Sequence, residues 1–330
     1  MEANGRRIEI FAPFEGAFEL TKLILFQPFD LKKWFVVGFA AFLAGLSDGS
    51  HFGFSGGNFG SASDWSGTWK EHGSTGSFHG PGGEGMWWLI IAIVAVVVVL
   101  VVAMIVLFGW LGARGRFMFI DCIVHNRGAI EAPWREYRRE ANSFFLFSLL
   151  VGFGSLVILA LSAFPFFYLW YQERLSDLGL AHLIYGGVVV FVWGVAAVVL
   201  AVTMWFMVPL MYRQRCRALD AFKQILKLVA TFPGSFVLYV LFVVVLMIAG
   251  ALLSCLVTCM TCCLAGLPYI GTVILLPLYT FNYAYTLLFL RQFGPEYDVW
   301  ANRAAIEPEA PPVQNPPAEP PPLDPPPLPA

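Results

Sequence analysis

The chain contains 330 residues with a formal net charge of −2; 58% of the residues are hydrophobic, only 13% are charged, and the mean hydropathy is +0.71. Soluble globular domains have about 45–50% apolar and about 25% charged residues, so the charges here are too few to cover a water-facing surface. This composition argues against a soluble enzyme, a nucleic-acid-binding protein and a disordered hub, and it predicts an integral membrane protein.

Residues 1–33 are predicted to form a cytoplasmic, amphipathic N-terminal segment. Arg6 and Arg7 precede only a short apolar stretch, Ile8–Phe14, which a glutamate and a proline interrupt. No small-residue cleavage pattern follows, so we expect no cleaved signal peptide. The first spanning helix is then expected to act as the insertion signal.

Residues 34–292 are predicted to form a membrane domain. A helix needs about 20 apolar residues to cross roughly 30 Å of hydrocarbon. Five stretches without Asp, Glu, Lys, Arg or His meet this length: Met86–Leu111, Ser143–Tyr171, Leu183–Tyr212, Ser235–Cys263 and Leu264–Leu290. A sixth stretch, Trp34–Leu46, has only 13 residues. The predicted fold class is therefore all-α, a polytopic membrane helix bundle of about six transmembrane helices.

The lysines and arginines alternate with these segments. Eighteen of the 20 lie in residues 1–33, 112–142 and 213–234 and in the chain after residue 290, whereas the other loops contain only Lys70 and Arg174. Because basic loops stay on the cytoplasmic side, both termini are expected in the cytoplasm. The predicted location is the cell (inner) membrane, crossed several times.

Three segments of similar sequence precede the odd-numbered spans: Gly16–Glu19, Gly128–Glu131 and Arg217–Asp220. Each opens a short helical stretch, so the chain is predicted to repeat a cytoplasmic amphipathic helix followed by a two-span hairpin three times.

The amphipathic helices are predicted to lie at the membrane surface. In the third unit Leu219, Phe222 and Leu226 are expected to face the hydrocarbon or the bundle. The opposite, basic faces are expected to contact anionic lipid headgroups; these residues are Lys223, Lys227, Arg135, Arg138 and Arg139. The alternative is that the helices simply pack on the cytoplasmic end of the bundle.

A resemblance to known membrane families rests on three features of the sequence. They are the three Ala-apolar-acid starts, Lys32–Phe35 before the first span, and Gly294–Asp298 after the last span. Over residues 15–300 the layout resembles poorly characterised bacterial membrane families related to the membrane domain that accompanies some glycerophosphoryl diester phosphodiesterases. The resemblance carries over no catalytic residue set. The phosphodiesterase barrel is missing, because no segment outside the spans is long enough to build it.

Residues 47–85 form a 39-residue insertion on the outer side, with 12 glycines and eight serines. Its three histidines, His51, His72 and His79, are good metal ligands together with nearby carboxylates. Their spacing matches no compact metal site, so we interpret the segment as a solvated loop.

Residues 293–330 are predicted to be a disordered cytoplasmic tail. Proline accounts for 12 of the last 23 residues, which favours extended polyproline II. Pro317–Pro320 and Pro322–Pro325 have the minimal PxxP spacing, so the tail is either a docking peptide for a cytoplasmic protein or an unstructured terminus.

Cys255, Cys259 and Cys262 share one predicted helix face, with Cys263 beside them. Thiolates at this spacing could bind a soft metal or undergo redox chemistry. An apolar surrounding favours the inert thiol and a packing role. We therefore regard the four cysteines as weak metal candidates and expect no cofactor.

The predicted spans contain no pair of a nucleophile and a base, and none of the charged groups that proton-coupled or ion-coupled carriers usually place in the membrane. The sequence therefore favours a non-enzymatic structural, scaffolding or regulatory membrane protein. The partners would be the lipid bilayer and a protein that binds the tail, and not nucleic acid. The alternative is a transporter or flippase-like channel for an apolar or amphipathic cargo. The oligomeric state is left open.

Overall fold

The computed structural model describes residues 2–3, 6–27, 29–46, 83–171, 180–261 and 267–301. The described chain is helical apart from two antiparallel two-residue strands, β1 (Glu2–Ala3) and β2 (Arg6–Arg7). Its α-helices are α1 (Ala12–Phe26), α2 (Leu31–Leu46), α3 (Gly83–His125), α4 (Glu131–Glu136), α5 (Arg138–Tyr171), α6 (Leu180–Gln214), α7 (Ala218–Thr231), α8 (Pro233–Met260), α9 (Pro268–Ile274) and α10 (Leu276–Arg291). A short 3₁₀ helix follows at Pro295–Tyr297.

By length and composition, four helices of the described chain could cross a membrane. They are the segments Trp88–His125, Arg138–Tyr168, Ile184–Gln214 and Pro233–Met260, within α3, α5, α6 and α8. Helices α2 and α10 have 16 residues each, which is about 24 Å. These two are therefore shorter than the hydrocarbon core of a typical bilayer.

Burial differs between segments along the long helices. The most apolar windows of the four candidate spans are only 0–11% buried. Fully buried side chains are concentrated in Phe117–Val124 of α3, Phe206–Tyr212 of α6 and Ala284–Leu290 of α10. We call the region around these three segments the packed end. A helix that is apolar on all sides is stable in lipid without protein contacts, so the chain needs a dense protein core only at the packed end.

Three central helices, α3, α6 and α10, meet at the packed end. The ring of Tyr283 lies 4.8 Å from Phe119 and 5.3 Å from Trp205, which joins α10 to both other helices. The outer helices fill the gaps: α2 packs on α3 and α10, α5 on α3 and α6, and α8 on α6 and α10. The short helices α1, α4 and α7 lie against α10, α3 and α6, respectively. Three outer helices and three short helices thus pack around the three central helices.

The last predicted span is interrupted at Leu275, between α9 and α10. Pro277 has no backbone N–H to donate to the carbonyl of Val273, four residues earlier. The indole Nε1 of Trp34 in α2 donates to that carbonyl instead, over 2.9 Å. Gly38, one turn later in α2, allows this approach, because a Cβ there would lie 2.8 Å from Cγ2 of Val273.

Helix α7 packs on the protein through a face rich in small residues, not through Leu219 and Leu226. Its buried residues are Ala218, Ala221, Ile225 and Leu228. Leu219 and Leu226 are exposed, and Phe222 is half-buried. The two alanines lie on the buried face, and their small side chains let α7 approach the neighbouring helix α6 closely. The leucines therefore form an apolar edge outside the core, next to Lys223 and Lys227.

Candidate functional site

Residues 112–125, predicted to begin a cytoplasmic loop, continue α3 without a break. This half of α3 packs closely on α2, since a Cβ at Gly115 would lie only 2.4 Å from the backbone nitrogen of Ala44. The helix carries Asp121 and His125 into the packed end, where Asp121 is fully buried. The apolar residues of Phe117–Val124 were the feature of the sequence from which this longer helix could have been predicted.

Asp121 is the centre of a buried polar network. Its Oδ1 accepts a hydrogen bond from the hydroxyl of Tyr212 in α6, over 3.0 Å, and lies 3.0 Å from Nδ1 of His125. Its Oδ2 lies 3.4 Å from a guanidinium nitrogen of Arg127, in the turn after α3. A carboxylate can be buried when hydrogen bonds and a positive charge replace its water. The network satisfies this condition and joins α3 to α6.

A second layer of the network covers Tyr212. The ring of Tyr137 stacks on Tyr212 at 4.6 Å, and the guanidinium of Arg215 lies 3.8 Å from the centre of the Tyr137 ring. Arg215 also pairs with Glu136, and its other nitrogen is 3.9 Å from Glu140. Burial raises the pKa of Tyr137 to about 12. The layer holds the α4–α5 junction against the end of α6.

Lys33 ties three helices together beside this network. Its ammonium donates to the carbonyl of Ile24 at the end of α1 and to Oδ1 of Asn126 after α3, both over 2.6 Å. Asn126 has a positive φ of 51°, which asparagine tolerates better than most residues. Burial lowers the pKa of Lys33. The predicted N-terminal segment is thereby bound to the packed end.

The network resembles a catalytic arrangement only in part. His125 has a carboxylate beside it, as a general base often does. The hydroxyl next to His125 belongs to Tyr212, which is fully buried, as is Asp121. The geometry therefore suits a structural connection between helices better than turnover.

A pocket lies between the three central helices. Arg116 of α3, Trp205 of α6 and Tyr283 of α10 line it, and the space among them is narrow, with room for about one water molecule. Thr286 contributes to the wall, but its hydroxyl is engaged, donating to the carbonyl of Asn282 and accepting from the indole of Trp205. Arg116 is the charged member of the lining.

The five predicted headgroup residues are all exposed, on three helices at the packed end: Lys223, Lys227, Arg135, Arg138 and Arg139. Arg135 pairs with Glu131 one turn earlier, over 2.7 Å. Arg114 and Arg116 lie in residues 112–142, which the sequence predicts to be a basic cytoplasmic loop. The structure instead buries Arg114, with its guanidinium 4.4 Å from the ring of Trp110, and places Arg116 in the pocket.

The cysteine cluster is described only in part. Cys255 and Cys259 are free and exposed on α8, whereas Cys262 and Cys263 lie outside the described residues. Within the part of the chain that the structure describes, no group of three or more His, Cys, Asp or Glu residues could hold a metal ion. Most of the Gly/Ser-rich insertion, with its three histidines, and the chain after residue 301 also lie outside the described ranges.

The arrangement of central, outer and short helices has no counterpart in the comparisons with known proteins. Neither a curated protein nor a solved structure matches the chain. A model of a family of unknown function matches residues 9–279, a range that begins just before α1 and ends within α10. Because this match covers most of the chain, the protein belongs to the family of unknown function DUF7544.

Proposed function

We propose that the protein is a non-catalytic membrane scaffold that presents its proline-rich tail from the packed end. The observation that carries this proposal is the anchoring of the tail's base. Tyr297 and Val299 are buried in the packed end, and Asp298 pairs with Arg291 at the end of α10, over 3.0 Å. A fixed base determines where a docking peptide that follows it leaves the packed end.

We further propose six spans in three units, with both termini in the cytoplasm. The threefold recurrence of helix contacts supports the three units. So do Asn126 and Arg215, which end α3 and α6 with positive φ values of 51° and 55° and lie 89 residues apart. The resemblance to the membrane domain that accompanies glycerophosphoryl diester phosphodiesterases is part of this proposal and concerns the membrane fold alone. Reporter fusions at His79 and Arg303 test the six-span topology. If both reporters lie on the same side of the membrane, the first hairpin must be removed from the topology.

The packed end is proposed to lie at the cytoplasmic surface of the bilayer. Helix α7 supports this placement because it has three edges: a buried edge in the core, an apolar edge with Leu219 and Leu226, and a basic edge with Lys223 and Lys227. Such a helix fits the boundary between hydrocarbon and headgroups. Helix α1 is similar, with Phe14 and Phe18 exposed beside Lys22.

Transport of an apolar or amphipathic cargo is the alternative. It requires a cavity along the spans that is large enough for the cargo. The apolar windows of the four candidate spans are at most 11% buried, so in the described chain these windows turn mostly outward. This geometry favours a scaffold over a carrier.

Affinity isolation from membranes tests the scaffold proposal. The full chain is compared with a truncation after Asn302 and with a full-length variant in which Pro317, Pro320, Pro322 and Pro325 are replaced by alanine. We expect a defined set of proteins with the full chain and its loss from both variants, while all three melt at similar temperatures. If all three retain the same proteins, the tail is not the docking element. Flip-flop of labelled lipids in vesicles that contain the truncated protein would support transport instead.

A further inference from the structure

The short helices α1 and α7 have exposed apolar edges at the packed end. On α1 the exposed residues Phe11, Phe14 and Phe18 follow one another at intervals of three and four residues, which places them on one edge of the helix. On α7, Leu219 and Leu226 are exposed on one edge in the same way. Large apolar side chains that cluster on a surface mark a place where the protein contacts something apolar.

Both helices turn aromatic rings towards the candidate spans. The rings of Phe11 and Phe14 lie 5.6 and 6.0 Å from the ring of Phe242, which belongs to the candidate span of α8. On α7 the half-buried ring of Phe222 lies 5.1 Å from Phe147, in the candidate span of α5. Because spans are surrounded by hydrocarbon, these edges lie where they can reach the hydrocarbon of the adjacent leaflet.

Charge does not explain the exposed surface of these two helices. Their charged residues are all exposed and comprise three acids and three lysines: Glu15, Glu19 and Lys22 on α1, and Asp220, Lys223 and Lys227 on α7. The two helices together are therefore neutral, and an anionic surface attracts the pair little. The apolar edges are the feature of this surface that requires a partner.

The two helices also make the protein unequal in the two leaflets. They have 15 and 14 residues, so each is about 22 Å long and about 10 Å wide and can displace about 220 Å² of lipid surface. Away from the packed end the described chain consists mainly of segments of the predicted spans, and the most apolar windows of the four candidate spans are at most 11% buried. The protein therefore occupies more of the leaflet around the packed end than of the opposite leaflet.

We propose that the protein recognises membrane curvature and accumulates where the leaflet around the packed end is convex. Bending spreads the headgroups of a convex leaflet and exposes hydrocarbon between them, and interfacial helices bind according to such differences. The phenylalanines of α1 and the leucines of α7 fill these gaps. The proposal rests on the placement of α1 and α7 at the membrane boundary, not on docking by the tail or on which side of the membrane is cytoplasmic.

Fluorescence of single vesicles tests the proposal. The full chain, with a small dye at the end of its tail, is reconstituted into phosphatidylcholine vesicles of mixed diameter. A membrane-impermeant quencher then distinguishes the molecules whose tail, and hence packed end, lies outside. We expect the density of the quenched molecules per membrane area to rise as the diameter falls, because their packed end lies in the convex leaflet. The density of the protected molecules should fall, because their packed end lies in the concave leaflet.

A pair of double variants assigns the effect to the short helices. Phe18→Ala with Leu219→Ala removes one side chain, 64% and 58% exposed, from each short helix, and it should flatten the dependence on diameter. Phe191→Ala with Leu150→Ala is the matched control. It removes the same kinds of side chain, 72% and 67% exposed, from the candidate spans of α6 and α5, and it should leave the dependence unchanged.

Three results would overturn the proposal. One is a density of the wild type that does not vary with diameter, or that varies equally in both orientations; this result needs no variant and is decisive even if a variant does not fold. Another is an unchanged dependence in the variant of Phe18 and Leu219. The third is a dependence that appears only after phosphatidylglycerol is added, which would assign the effect to headgroup charge. A wild type without any preference for curvature that still captures proteins through its tail would overturn this proposal and leave the scaffold proposal intact.

Discussion

The contact between Trp34 and the helix break at Pro277 makes a quantitative prediction. The carbonyl of Val273 has lost its backbone donor to the proline and accepts from the Trp34 indole, over 2.9 Å. Val273 is buried. Replacing Trp34 by Phe keeps a ring against Phe26 and Phe29 but leaves this carbonyl without its donor. A buried polar group that loses its partner costs about 1–3 kcal/mol, so we expect the variant to be less stable by this amount.

Unfolding of the purified protein in mixed micelles by increasing SDS measures the effect. Trp88→Phe is the control, since Trp88 is an exposed tryptophan of α3 and should change stability little. Pro277→Ala separates the hydrogen bond from the ring's packing, because it returns an N–H at residue 277 that can reach Val273. Trp34→Phe should then cost clearly less in the Pro277→Ala background than in the wild type. An equal loss of stability on Trp34→Phe in both backgrounds would refute the argument and would show that the effect comes from packing.

Three further predictions concern the packed end. Gly115→Ala should destabilise strongly or prevent folding, because its Cβ would lie 2.4 Å from the backbone of α2, whereas Gly152→Ala, with nothing within 4 Å, should be neutral or stabilising in a thermal melt. Tyr212→Phe should lower the free energy of unfolding by about 1–3 kcal/mol, because buried Asp121 loses a donor, and it should have little further effect on an Asp121→Leu variant, which has no acceptor for the Tyr212 hydroxyl, if both act through this hydrogen bond. The neutral form of Tyr137 should stabilise the fold fully below pH 10, and this contribution should be lost as the pH rises towards about 12, its pKa in the folded protein. The melting temperature of the wild type should therefore fall more steeply over this range than that of Tyr137→Phe, and parallel curves would contradict the shift.

Much of the architecture depends on local composition and could be predicted from it. The long apolar stretches predict helices that can span a membrane, because hydrocarbon accepts only backbones whose hydrogen bonds are satisfied within the segment. Among the residues that the structure describes, four helices meet this criterion, in α3, α5, α6 and α8. The short amphipathic helix at residues 218–231 was also predictable from its periodicity.

Periodicity left open which edge of α7 enters the core. The helix has apolar residues on two adjacent edges, one with Ala218 and Ile225 and one with Leu219 and Leu226, and the pattern allows the leucines to face either the bundle or the hydrocarbon. The structure buries the edge with the alanines. The choice depends on how closely α6 approaches, which is a property of two helices together.

The candidate sites were decided by tertiary structure alone. Asp121 and Tyr212 are 91 residues apart and meet only because α3 and α6 pack at one end. Trp34 and Val273 are 239 residues apart, and their bond depends on the missing N–H of a proline in a third segment. The sequence predicted Arg116 to be one more residue of a basic cytoplasmic loop, whereas the structure places it in a pocket between α3, α6 and α10. Sequence by itself determined that four helices are apolar and long enough to cross a membrane, because length and hydropathy sum over single residues. Which polar groups meet depends on contacts between distant segments, and only the folded chain brings them together.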